Sequence, residues 1–151
     1  MIRTTFALLF TLHLLYADSV LNTATTLIQK HEGFVSKPYA DSKGISIGYG
    51  TNLSVGISQE EALYLLQFRL IRIQDRLKHL SWFRKLNPVR QVAIIDLTYN
   101  IGFAGLLTFK DFLWCLKHNY FNAASNRLLD SLYAKQTGNR AKYIAYLIKH
   151  G

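Results

Sequence analysis

The sequence predicts an α+β fold that is mainly helical: a small strand-containing N-terminal lobe, a long connecting helix and a helical C-terminal lobe. Three observations carry this. Apolar residues recur at three- and four-residue spacing through most of the chain. Residues 34–57 break that rhythm, with Pro38, Gly44, Gly48, Gly50 and Gly56 between short β-prone pieces. A length of 151 residues suits one domain, and no linker, repeat or low-complexity tract divides it.

The elements follow in order. Arg3 precedes the apolar run Phe6–Tyr16, which Asp18 ends. A transmembrane helix needs about 20 apolar residues, so the run is too short to span. It fits a secretory signal peptide, residues 1–17, cleaved after Ala17, and predicts export to the periplasm or the outside. The catalytic or binding domain then occupies residues 18–151. Val20, Leu21, Ala24, Leu27, Ile28 and His31 mark a helix that Gly33 stops. ISIGYG and TNLSVGI read as hairpins or a small antiparallel sheet. Ser58-Gln59-Glu60-Glu61 is a capping box that opens the connecting helix, residues 58–80. Its Leu63, Leu66, Leu70, Ile73, Leu77 and Leu80 form one face, and Leu65, Phe68 and Ile71 extend it, which predicts burial on more than one side. The lobes are then about 18–58 and 81–151. Pro88, after Asn87, starts a helix ended by Gly102. Thr108 caps a helix through His118, Asn119 begins another to about Leu132, and Asn139-Arg140 opens the last, with Tyr143, Ile144 and Leu147 inward.

Composition narrows the chemistry. Half the residues are hydrophobic and 18% are charged, which excludes wholesale disorder. The net charge of +9 favours polyanionic surroundings, among them nucleic acid, anionic lipid and bacterial cell wall. Cys115 is the only cysteine, so no intrachain disulfide forms, and its apolar run FLWCL makes it a buried thiol. His13, His31, His79, His118 and His150 show no metal-ligand spacing, so no metal is expected. The glycines match neither a dinucleotide fingerprint nor a phosphate loop, and no serine-hydrolase elbow is present.

The nine carboxylates are few enough to sort singly. Asp18 sits at the cleavage junction. Glu60, Glu61 and Asp111 occupy first helical turns, where the helix dipole accounts for them. Asp75 lies among Arg72, Arg76 and His79, an ion-pair face, and Asp130 follows Arg127 by three. Asp96, between Ile95 and Leu97, is set aside less firmly. Glu32 and Asp41 remain, one at a helix end and one at the start of a hairpin. Two carboxylates across a cleft are the minimum equipment for glycoside hydrolysis, one protonated as general acid and one ionised. On spacing alone they also read as a surface acid and a turn residue.

The run His31-Glu32-Gly33-Phe34, then Pro38-Tyr39-Ala40-Asp41, Gly44 and Ile47-Gly48-Tyr49-Gly50-Thr51, resembles the phage-type lysozymes, or endolysins. The likeness continues through Asn87–Gln91, Tyr99–Gly102, Phe109 and Gln136–Lys142, over roughly residues 20–148. The resemblance implies a lysozyme-like fold and a peptidoglycan hydrolase, a muramidase cleaving the β-1,4 bond between N-acetylmuramic acid and N-acetylglucosamine, without cofactor. It makes Glu32 the general acid and Asp41 the holder of the attacking water. Ser46 stands where the family commonly has threonine, and the loop from Asp41 is one residue shorter than usual. Arg140 would reach Glu32 and hold it. Tyr49, Asn100, Tyr133, Gln136 and Thr137 fall where the family lines its groove, although Tyr49 and Tyr133 read equally as packing residues. The likeness also suggests inversion, for which the two carboxyl groups stand ~6.5–9.5 Å apart. A general acid beside an arginine needs burial to keep its proton, so Glu32 is expected to be desolvated.

On this reading the partner is bacterial peptidoglycan and not nucleic acid, no stable membrane span is expected, and the protein acts as a monomer. The rival is a non-catalytic cationic protein that binds wall or disrupts membranes, using the basic amphipathic stretch Arg140–His150.

Overall fold

A computed structural model describes residues 19–151. The proposed signal peptide, residues 1–17, lies outside them. The fold is α+β and mostly helical, with one small sheet near the N-terminus, as the periodicity predicts. The chain divides into two compact units, one ending at Ser58 and the other spanning Gln59–Gly151.

In the N-terminal unit, residues 19–32 are helical (α1) and Gly33, at φ 67°, ends the helix. The sheet is antiparallel with order β1-β2-β3: β1 Val35–Asp41, β2 Gly44–Gly48 and β3 Thr51–Asn52. Asp41 pairs with Gly44, so the shortened loop closes as a tight hairpin around Ser42 and Lys43. The piece TNLSVGI is strand only at its start. Asn52 accepts a hydrogen bond from the Ser54 amide at 2.8 Å and caps a 3-10 turn, Leu53–Val55. Ser46 is the single buried residue among the described residues 19–58.

The C-terminal unit holds the core. Its helices are α2 Gln59–Lys78, α3 Ser81–Lys85, α4 Pro88–Thr108, α5 Lys110–Lys117, α6 Phe121–Leu129, α7 Leu132–Thr137 and α8 Asn139–His150. Leu77, Phe83, Ile94, Leu97, Leu106, Phe112, Leu116, Leu128, Ile144 and Ile148 are buried together. Each such side chain contributes roughly 1.5–3 kcal/mol by leaving water. Half-exposed ion pairs contribute at most about 1 kcal/mol each, so the core dominates this unit's stability. Cys115 is buried within it.

Several local expectations change. Only Leu77 of α2 is buried, and Leu63, Leu65, Phe68 and Ile71 are all exposed. Gly102 ends the first helical stretch of α4, as expected: at φ 75° and ψ 163° it is non-helical, and a second stretch, not anticipated, runs on to Thr108. An L-residue with a side chain avoids that backbone state, which is why glycine sits at the break. Thr108 does not cap α5. Its hydroxyl donates back to the Gly105 carbonyl at 2.7 Å, and Phe109 takes the cap position. Asn119 adopts φ 61° in the turn before α6, and Ser131, not anticipated, caps α7 through the Ala134 amide. Tyr143 of α8 faces outward at 62% exposure. The inward face is Ala141, Ile144, Ala145 and Ile148. That face is spent on the core, which removes the amphipathic surface on which the membrane-active reading rested.

Among the described residues no single helix is long and apolar enough to cross a membrane. The pair α4 and α5 passes that test only jointly and is bent by 92°. Its Ala93, Ile94, Leu97, Leu106, Phe112 and Leu116 are core residues.

Candidate active site

Asp41 closes β1 at the tight hairpin. In antiparallel pairing, directly opposite residues share a face and alternate residues return to it. Tyr39 pairs with Ser46, and Ser46 pairs with Asn52, so Tyr39, Asp41, Ser46 and Asn52 lie on one face. The Ser46 hydroxyl donates to the Asp41 carboxylate. The Lys43 amide donates to Asp41 Oδ1 at 2.7 Å, an Asx turn built by the hairpin itself. Ser46 is 2% exposed while Asp41 is exposed. The hydroxyl is therefore fixed and the carboxylate remains reachable.

These donors set the charge on Asp41. The Ser46 hydroxyl, and after it the Lys43 amide, hold its carboxyl below the ordinary carboxylate value; the Gly44 amide and the Lys43 ammonium act in the same direction. A depressed carboxyl contributes stability above its unfolded value, and that contribution is lost as pH falls through the lowered folded value. Ser46→Ala removes the largest cause, so the Asp41 midpoint rises toward the ordinary range in a carboxyl-carbon NMR titration. An unmoved midpoint would show that Ser46 does not govern Asp41.

A second hydrogen-bonded set latches the same turn. Asn52 Nδ2 donates to the Lys43 carbonyl at 3.0 Å, and the Ile45 amide donates to Ser54 Oγ at 2.9 Å. Gly44 runs so close to Ser54 that a Cβ there would collide with its hydroxyl. Asn52 and Ser54 were not singled out from the sequence. The signal was present as Asn-x-Ser directly after a strand, a side-chain capping pattern.

Glu32 sits at the end of α1. Its carboxylate lies over the β2–β3 turn, where a Cβ on Gly50 would stand 2.9 Å from Oε2. Gly50 also has φ 77°, so glycine serves twice there: it permits the turn and leaves room for the acid. Glu32 and the Asp41–Ser46 pair are thus carried by one small unit. The expected desolvation of Glu32 is not found. The residue is exposed, because a helix end beside a glycine turn has nothing apolar to cover it.

Three of the C-terminal candidates, Tyr133, Thr137 and Arg140, lie close to one another. Arg140, at the start of α8, directs Nε to Asp96 Oδ1 at 3.0 Å, and its Nη2 contacts the same oxygen. The guanidinium expected on Glu32 is therefore engaged by Asp96, the acid set aside less firmly. Asp96 strengthens Arg140's hold on its proton, and Tyr133 and Tyr99 interact with the same guanidinium. Asn100 and Gln136 are exposed. The Thr137 hydroxyl donates back to the Tyr133 carbonyl at 2.9 Å. Tyr133 is a core residue at 6% exposure, its ring 6.5 Å from that of Phe109. Its hydroxyl has no hydrogen-bond partner among the described residues, and such a buried orphan costs about 1–3 kcal/mol. Tyr49 is exposed and tilted against Phe34, ring centres 5.4 Å apart. Asp75 pairs with Lys78 at 3.9 Å and not with Arg72 or Arg76.

The family model for phage lysozyme matches residues 29–145. The chain belongs to the phage lysozyme family. That span takes in Glu32, Asp41 and Ser46 and reaches past Arg140 into α8. No curated protein matches the chain. Membership implies that the chain is a glycoside hydrolase that acts on peptidoglycan. The small sheet with its acid-bearing hairpin and the helical C-terminal unit are consistent with that family's fold.

Proposed function

We propose that this phage lysozyme is a muramidase that hydrolyses the β-1,4 bond between N-acetylmuramic acid and N-acetylglucosamine with inversion at the anomeric carbon. The observation that carries the reading is the Asp41–Ser46 pair on the same small unit as Glu32; the exposure of Glu32 in the free protein counts against its role as acid, not for it. Asp41 is held ionised by its donors, the state needed to orient water and to face a developing oxocarbenium ion. With its hydrogen committed to Asp41, the Ser46 oxygen retains lone pairs that accept a hydrogen bond from that water. Serine thus serves in place of the usual threonine.

Glu32 donates its proton to the glycosidic oxygen as the C–O bond breaks. Water adds from the opposite face of the sugar and Asp41 takes up its proton. Glu32 is exposed, so covering it from water falls to the bound glycan. Tyr49, Asn100, Gln136 and Thr137 contact sugar rings and N-acetyl groups, whereas Tyr133, with its hydroxyl buried, serves packing. Arg140 acts on the substrate side through its partnership with Asp96. The amino-terminal signal exports the enzyme to the wall.

Reducing-end release from purified peptidoglycan, with the first-formed product anomer assigned by NMR, tests this. Muramic acid at the new reducing end in the α configuration is the expected result. A β product means retention and removes Asp41 from the water-holding role, and an N-acetylglucosamine reducing end assigns the wrong bond.

A further inference from the structure

Arg69, Arg72 and Arg76 stand three and four residues apart, so they share one face of α2. They line a cavity of about 440 Å³ with Ile73 of the same helix and Thr98, Tyr99, Gly102 and Phe103 of α4. Like charges at such spacings weaken a helix. The one acid in the body of α2, Asp75, is committed to Lys78. Among the described residues none of the three arginines has a carboxylate partner. Arg76 is nonetheless held in place, its guanidinium carbon 4.1 Å from the centre of the Phe103 ring. Stacking occupies the face of the guanidinium and leaves its in-plane N–H groups available.

We propose that this cavity is a phosphate-binding pocket that seats a wall polymer of repeating phosphodiesters. A carboxylate has two oxygens and is satisfied by one arginine fork. A phosphodiester likewise offers two non-bridging oxygens and one charge, so three guanidinium groups on one cavity wall match successive anions of a repeating polymer rather than a single carboxylate. A phosphodiester stays anionic at every pH the protein meets. Ile73, Tyr99 and Phe103 give the polymer's carbon segments an apolar wall. A concave cavity admits a chain, whereas a bilayer presents a broad surface, and this favours a polymer over a membrane. The choice of a wall polymer rests on the peptidoglycan-hydrolase reading. The pocket then holds the enzyme on its wall between cuts.

The full-length chain is titrated calorimetrically with poly(glycerol phosphate) at about 0.15 M salt, where diffuse attraction is largely screened. Arg69→Gln/Arg72→Gln/Arg76→Gln should weaken binding at least about tenfold, through loss of charge-assisted hydrogen bonds. The charge-matched Lys117→Gln/Lys142→Gln/Lys149→Gln should change it less than about twofold. Because Arg76 rests on Phe103, Arg69→Gln/Arg72→Gln is the companion variant that leaves the stack intact, and it too should weaken binding. Equal weakening in the arginine and lysine triples overturns the pocket in favour of diffuse charge. Binding to phosphatidylglycerol vesicles without binding to the polymer overturns it in favour of a membrane surface. Hydrolysis of polymer-stripped peptidoglycan by the unaltered chain reports separately on catalysis: absent polymer binding with hydrolysis intact removes the pocket and leaves the enzyme.

Discussion

Glu32→Gln yields a folded chain that still binds purified peptidoglycan and no longer lyses it. The exchange keeps size and shape and removes only the transferable proton. General acid catalysis typically supplies 10²–10⁴-fold, so the expected loss is about that factor or more. Stability should not follow activity down. Glu32 is exposed at a helix end, and the close contact of its side chain is with the Gly50 turn. The measurement is turbidity loss of purified sacculi, beside a sedimentation assay for binding and a thermal melt. Lysis that survives the substitution sinks the proposed glycosidase mechanism, which assigns the proton to Glu32 alone.

Asp41→Asn separates charge from geometry. Asparagine keeps an oxygen for the Lys43 amide and the Ser46 hydroxyl, so the hairpin retains its turn. What goes is the negative charge that the proposed mechanism uses to orient water and face the oxocarbenium ion, and the expected loss is again on the order of 10²–10⁴-fold in kcat. Substrate affinity should change little, so KM separates this result from a binding defect. Near-normal kcat in a folded variant would move the water to another residue. The two substitutions also differ in their effect on stability. Asp41 is the acid with a depressed carboxyl, so its variant forfeits stability that wild type has above the unfolded carboxylate value.

The parts of the site that were legible are the local ones. Gly33 stops α1, and Asp41, Gly44 and the Gly48–Gly50 turn shape the hairpins, because turn chemistry depends on a few adjacent residues. Ser46 was identified by likeness, and its aim followed once the register placed Tyr39 opposite it. Register depends on hairpin closure, so the shortened loop left the aim open until Asp41 was seen to pair with Gly44. Gly102 is a helix stop by its own backbone freedom, whereas the second helical stretch beyond it was not legible, because it depends on the packing of Leu106 into the core.

The sequence by itself determined the class of fold, most of the order of elements and the family. Each of these rests on periodicity, turn residues or ordered spacing, which neighbouring residues impose on one another. Tertiary structure decided which partner each charge takes. Arg140 meets Asp96, 44 residues back, because α4 and α8 pack in the same core. Asp75 meets Lys78 and leaves Arg69, Arg72 and Arg76 together on a cavity wall. Tyr133 is drawn into the core with its hydroxyl unpaired, while Glu32 is left in solvent. A charge or a ring acts over a few ångströms of space, and only the packing of distant segments fixes what lies within that range.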